Sequence, residues 1–209
     1  MTQATPSAKS IQIKEHLNKT YPELNELFSR SETLECLTPS ELSIPSAIVR
    51  IVIGQMLSAK AADTIYGRVK TLAADKSVAD WSLQFEEYRS CGLSTTKANS
   101  ILSFAAYYTT NTKEVENWHQ LESEQLITEI IKHKGIGRWT GTIMALFHFG
   151  REDIFPDLDG SLQKVNEIIY DQYQLKIDTS LAKPYRSYLA TYFWHFLDHG
   201  LLPVTLKTR

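Results

Sequence analysis

Between Ser123 and Gly150, two stretches with helical spacing are separated by so few residues that the chain must fold back on itself. In the first, Leu126, Ile127, Ile130 and Ile131 repeat at helical intervals, and Ser123 stands where an N-cap belongs. The second brings Trp139, Ile143, Leu146, Phe147 and Gly150 near one face. Gly135-Ile136-Gly137 lies between them. A backbone without Cβ adopts positive φ and lets another surface come close, so the pattern predicts helix, tight glycine hairpin, helix. The start of the second helix offers unpaired N–H groups and the positive end of a helix dipole, which suits a phosphate. Lys132, Lys134 and Arg138 add cations around the same turn.

After this pair, Phe155-Pro156 interrupts the chain, and Asp159 precedes a run with Leu162, Val165, Ile168 and Ile169 on its apolar face. Asp159 reads two ways, as an N-cap and nothing more, or as a chemical group. Its neighbourhood favours the second reading, because an acid at a helix start near a phosphate-binding hairpin and a Trp is well placed to attack a nucleotide. Asp157 is the alternative carboxylate.

The rest of the chain reads as helices and their connections. Residues 1–9 suggest a flexible start, and from Ser10 to Ser29 the recurrence of Leu17, Tyr21, Leu24 and Phe28 predicts one helix, or two meeting at Pro22. The segment around Pro39 and Pro45 reads as a loop. Ala47 to Ile53 is apolar on nearly every side and should be central to the core. Gly54-Gln55-Met56-Leu57 ends that helix, and Ser58 caps the next. Gly92 closes a helix and Ser94 opens another, with Ile101, Ala105 and Tyr108 on one face. Lys97 reads as a solvated lysine rather than a phosphate contact. Residues 110–122 read as a polar connection carrying Trp118. The last long helix is predicted to start at Asp178, Thr179 or Ser180 with Pro184 in its first turns, and its Tyr188, Tyr192 or Phe193, and Phe196 form a core stripe.

No strand-like alternation is sustained, so the fold class is all-α. At 209 residues, 43% hydrophobic and 22% charged, the chain can bury a core, and no apolar run approaches the ~20 residues of a membrane helix. The start MTQATPSAKS lacks the apolar stretch of a secretory signal, so an intracellular protein is expected: cytoplasmic, at the nucleoid, if bacterial, and nuclear if eukaryotic. Cys36 and Cys91 show no metal-binding spacing, so both read as reduced thiols and no metal or cofactor is expected. A net charge of −2 argues against a protein that coats nucleic acid by bulk charge, but leaves room for a local site. Two nucleotide motifs fail. GIGRWTG has its third glycine one place too late for GxGxxG and no strand before it, and there is no GxxxxGK[ST] loop.

The hairpin, the helix after it and Asp159 resemble the signature of the helix-hairpin-helix DNA glycosylase superfamily. GIGRWT, with Asp159 twenty residues after Trp139, is similar to the AlkA-type 3-methyladenine DNA glycosylase II branch. The resemblance implies two helical subdomains flanking a DNA-binding cleft, carried by a single glycosylase domain over residues 1–209. It also implies a monomer acting on double-stranded DNA that contains damaged bases. By the same likeness Asp159 is the catalytic carboxylate. Relatives that also cut the strand carry a lysine nucleophile where Trp139 stands here, so no Schiff base can form at that position and water is the acceptor.

Three further strings extend the likeness to about residues 46–195. IGQxxSxxAA implies that Met56 is an apolar wedge filling the gap left by an extruded nucleotide, with Gln55 beside the opposite strand. GLSxxKAxxI is taken as structural. PYRSYLATYFW implies that Trp194 lines the base pocket with Trp139, while Arg186 braces the fold. The hairpin contacts implied are Gly135 and Gly137 amides, with Thr140, Lys134 and Arg138 nearby. The sequence departs from the branch at Ile143, where an aromatic is expected, and is too short for the extra N-terminal domain of the larger AlkA enzymes. Two rival readings are a glycosylase for deaminated or mismatched bases and a non-catalytic helix-hairpin-helix DNA-binding module.

Overall fold

The computed structural model describes residues 6–202. Every helix or turn of regular structure among them follows one chain order: α1 (Ala8–Thr20), α2 (Asn25–Arg30), α3 (Ile44–Gly54), α4 (Ala59–Asp75), α5 (Phe85–Cys91), α6 (Thr95–Glu116), α7 (Ser123–Ile131), α8 (Arg138–Ile143), α9 (Gly160–Tyr173) and α10 (Arg186–Asp198). Short 3₁₀ turns join several of them. The chain divides into two compact units. The two chain ends, up to Leu37 and from Arg151 onward, form a terminal unit, and Thr38–Gly150 forms a central unit. None of the described helices is long and apolar enough to cross a membrane.

In the terminal unit, the segment expected to be a flexible start, residues 1–9, is helical from Ala8. Residues 1–5 lie outside the described residues, and α1 begins at Ala8 with the Ser7 hydroxyl accepting from Ser10 N. Pro22 separates α1 from α2 through a 3₁₀ turn, as its fixed φ and missing N–H require. Ile13, Leu17, Phe28, Leu162, Ile169 and Phe193 share one core. At about 1.5–3 kcal/mol per buried side chain, that core is what holds the chain's two ends together. Two buried tyrosines of α10 also secure extended backbone, since Leu34 N donates to Tyr192 Oη and Leu37 N to Tyr188 Oη. Arg186 braces the unit: Nε donates to Asp153 Oδ1 at 2.8 Å and Nη2 to Asp153 O at 2.7 Å. The last helix starts later than expected. Asp178 caps only a 3₁₀ turn, Thr179–Ala182, and Pro184 falls between that turn and α10 because it cannot donate inside a helix.

In the central unit, α3 is buried along Ala47, Ile48, Val49, Val52 and Ile53. It begins earlier than the proline content suggests: Ser43 is the N-cap and Pro45 sits in the first turn, where its missing N–H leaves no gap. Ser58 and Ser94 cap α4 and α6 as expected, and Gly92 ends α5 at φ 106°. Residues 110–116 are not a connection. α6 runs on to Glu116 through one non-helical residue, Asn111, and Val115 and Trp118 are buried beyond it. Thr109, Thr110 and Thr112 hydroxyls bond back to the carbonyls four residues earlier, so the polar run is satisfied within the helix. At α7 the cap is Glu122, paired with Gln125 in a capping box, and Ser123 is the first helical residue. α8 gives way to a π turn over Met144–His148, closed by Phe149 N donating to Met144 O at 3.1 Å. The wider turn shifts the register, which is why Phe147 comes out 43% exposed while Leu146 and His148 are buried.

Candidate functional site

The hairpin between α7 and α8 is built around two different glycines. Gly135 has φ +79°, and a Cβ there would lie 1.8 Å from Ser100 Oγ, so both the backbone and the packing against α6 demand glycine. Gly137, the N-cap of α8, has φ −91° and ψ 177°, which any residue adopts, and nothing lies within 4 Å of its notional Cβ. Nothing in the central unit requires a glycine at 137. Its bare backbone faces open space, which is what a ligand approaching the start of α8 would need. His133 anchors the turn from below, with its ring 4.9 Å from Phe104 and 4.4 Å from Tyr107, and burial lowers its pKa.

The hairpin cations are engaged with neighbours. Arg138 Nη2 donates to Glu124 Oε2 at 3.1 Å, and Lys132 pairs with Glu129, both at the surface where such pairs add little stability and exchange readily. Lys134 is exposed. Thr140 differs from the surface position that a phosphate contact implies. It is only 1% exposed, and its hydroxyl accepts from Gln55 Nε2 at 2.8 Å, because α8 turns that side toward the core. Gln55 is thereby tied to the hairpin helix rather than left free at the tip.

That tip, between α3 and α4, is unusual. Gln55 is the C-cap of α3, and Met56 follows with φ +57° and a fully exposed side chain. A non-glycine residue in the left-handed region is strained, and a large apolar side chain there gains nothing from burial. Lys97, which the sequence suggested to be solvated, is instead half-buried and donates to Ile53 O at 2.9 Å and Gln55 O at 2.7 Å. Desolvation lowers its pKa.

In the terminal unit, Asp159 is indeed the N-cap of α9. Oδ1 accepts from Ser161 N at 3.0 Å and Leu162 N at 3.1 Å. It also accepts from Trp194 Nε1 at 3.0 Å. An ordinary cap would need only the first two bonds, and would stand in solvent. Here the residue is 9% exposed, and an indole N–H from α10 fixes the carboxylate plane. Trp194 is thus tied to Asp159 through its ring nitrogen, a contact that spacing across 35 residues could not reveal. Asp157 is exposed, and its backbone carbonyl, not its carboxylate, accepts from Gln163 Nε2. Trp139, on α8, is half-buried.

The comparisons with known proteins agree with one another. The chain is 31% identical over 161 residues to DNA-3-methyladenine glycosylase 1 of Schizosaccharomyces pombe, covering 70% of this chain and 69% of that one. It is 28% identical to the alkylbase DNA glycosidase-like protein mag2 of the same yeast, covering 76% of this chain and 80% of the relative. A solved structure of the S. pombe 3-methyladenine DNA glycosylase in complex with abasic DNA superposes with a TM-score of 0.74 at 25% identity, over 90% of this chain and 97% of the other. No model of a protein family matches the chain.

Proposed function

This chain belongs to the DNA-3-methyladenine glycosylase family, and we propose that it extrudes an alkylated nucleotide from double-stranded DNA and hydrolyses its C1′–N bond with Asp159 as the essential carboxylate. It is a glycosylase of DNA repair that removes alkylated bases and leaves an abasic site. The observation that carries the assignment of Asp159 is the trio of N–H donors on Oδ1, one of them the Trp194 indole.

A target bond inside a duplex is beyond any side chain until the nucleotide leaves the stack. The amides of Gly135 and Gly137 hold a phosphate and fix register without reading sequence, with Lys134 and Arg138 adding charge. Arg138 exchanges its surface partner Glu124 for that phosphate at little cost. Met56 fills the vacated stack and Gln55 keeps the tip against α8 through Thr140. Trp139 and Trp194 offer indole faces to the base. A base alkylated at N3 or N7 is cationic, and stacking on indole favours it by roughly 0.5–2 kcal/mol over a neutral one. Such a base is also a good leaving group. What remains is the positive charge that grows on the sugar, which the Asp159 carboxylate stabilises while it orients or deprotonates the attacking water. Position 139 holds a Trp rather than a lysine, so no amine attacks the sugar there and the products are a free base and an unbroken strand. One copy of the chain supplies all of these groups, which fits a monomer.

The test is release of base from methylated duplex DNA by wild type and Asp159→Asn. Asparagine caps a helix as well as aspartate does, so the substitution removes charge without uncapping α9. Release should fall by about a hundredfold or more, with DNA binding kept. Equal release by the two proteins contradicts the assignment, and loss in Asp157→Asn instead transfers the role to Asp157. Strand scission should appear only after alkali or heat, and a borohydride-trapped adduct would contradict hydrolysis.

A further inference from the structure

Lys97 is a half-buried cation of the central unit that the mechanism above leaves without a task. It stands on α6 in line with the buried Ile101 and Phe104, four and seven residues on, so its stem runs along the core. Its ammonium ends against Ile53 O and Gln55 O, at 2.9 and 2.7 Å. Ile53 O belongs to the last turn of α3, where a helix leaves its acceptors unpartnered and its dipole favours a cation, and Gln55 is the C-cap that follows. The next residue is Met56, at φ +57° and fully exposed.

Met56 has no packing of its own to hold that strained conformation, so its flanks must hold it. On one side Gln55 is fixed twice, at its carbonyl by Lys97 and at its amide by Thr140 Oγ1. On the other, Leu57 N donates to Gly54 O at 3.2 Å and closes the turn. We propose that Lys97 is a positioning residue for base extrusion: its two hydrogen bonds hold the α3–α4 tip in the conformation in which Met56 enters the duplex. Lys97 touches no DNA and acts through the Gln55 backbone. The inference rests on the reading of Met56 as the wedge.

Lys97→Met keeps the aliphatic stem and removes the N–H donors. The experiment measures single-turnover base release from two duplexes carrying the same lesion, one fully paired and one with an abasic position opposite the lesion, where extrusion needs little help. Lys97→Met should slow release from the paired duplex by about tenfold and from the second by less than about twofold, the loss of two charge-assisted bonds being felt only where the tip works. Met56→Ala is run alongside and should show the same dependence on pairing. An equal loss on both duplexes, tracking a fall in thermal stability, makes Lys97 a fold residue only and overturns the inference, as does no loss on either. If Met56→Ala leaves both rates unchanged, the wedge reading itself fails. If Met56→Ala is selective while Lys97→Met is not, only the role of Lys97 falls.

Discussion

Gly135 and Gly137 sit two residues apart and are glycine for opposite reasons. At Gly135 the constraint is internal, from φ +79° and from Ser100 behind it. Gly135→Ala should therefore destabilise the protein by about 1–3 kcal/mol, from strain plus displacement of Ser100, which thermal unfolding will read. At Gly137 neither backbone nor packing demands glycine, and in the proposed function the constraint comes from bound DNA. Gly137→Ala should keep stability within about 1 kcal/mol of wild type, the difference between two N-caps, and yet weaken binding to duplex DNA. A Gly137→Ala protein that binds DNA normally would remove this residue from the phosphate contact. Single residues were unevenly legible in the sequence. The glycines and Asp159 as a helix cap follow from residue type and spacing, whereas Met56 at an exposed interhelical tip follows only from the family resemblance. Lys97 was misread although its register was available: a lysine in line with Ile101 and Phe104 lies on a buried stripe, where its ammonium must find carbonyls. The Trp194–Asp159 bond and the Gln55–Thr140 bond join positions 35 and 85 residues apart, and no local pattern encodes such distances.

At the scale of elements, capping residues and apolar period located most helices, and the misses have physical causes. The polar stretch after Tyr108 stays helical because Val115 and Trp118 anchor its far end in the core, a tertiary effect that outweighs composition. The π turn at Met144–His148 breaks the 3.6-residue period, so a face drawn through Ile143 and Phe147 could not survive it. That turn also buries His148, 3% exposed, with neither ring nitrogen hydrogen-bonded. Burial, with His119 6.2 Å away and Glu116 opposing, lowers its pKa to about 4. The unfolded chain takes up a proton near pH 6.5 that the folded unit refuses until about pH 4, so stability is full above that window and falls as pH drops through it. Thermal unfolding should show a loss on the order of 2 kcal/mol between about pH 7 and about pH 5, with His133 and His195 contributing in the same direction. His148→Leu should flatten much of that dependence, and an unchanged slope in the variant would assign it elsewhere.

For the whole molecule, the all-helical class was legible from the lack of sustained alternation, and the two units from little more than the family likeness. Neither composition nor periodicity says that the chain's two ends share a core, because that pairing depends on α1 and α2 meeting α9 and α10 across the sequence. The net charge of −2 gives no hint of a partner that is a polyanion, and in the function proposed above recognition would rest on a few backbone amides and local cations rather than on bulk charge. The hairpin and the tip belong to the central unit and Asp159 to the terminal unit. In the proposed mechanism Asp159 stabilises a positive charge on the sugar. The most direct measurement compares binding to duplexes that carry, at the lesion position, either a cationic aza-sugar or a neutral tetrahydrofuran abasic analogue. Wild type should prefer the cationic analogue by about tenfold or more, as expected of a mimic of the charge in the transition state, and Asp159→Asn should bind both nearly equally. If Asp159→Asn keeps the full preference for the cation, the charge is met by another group and the account is wrong.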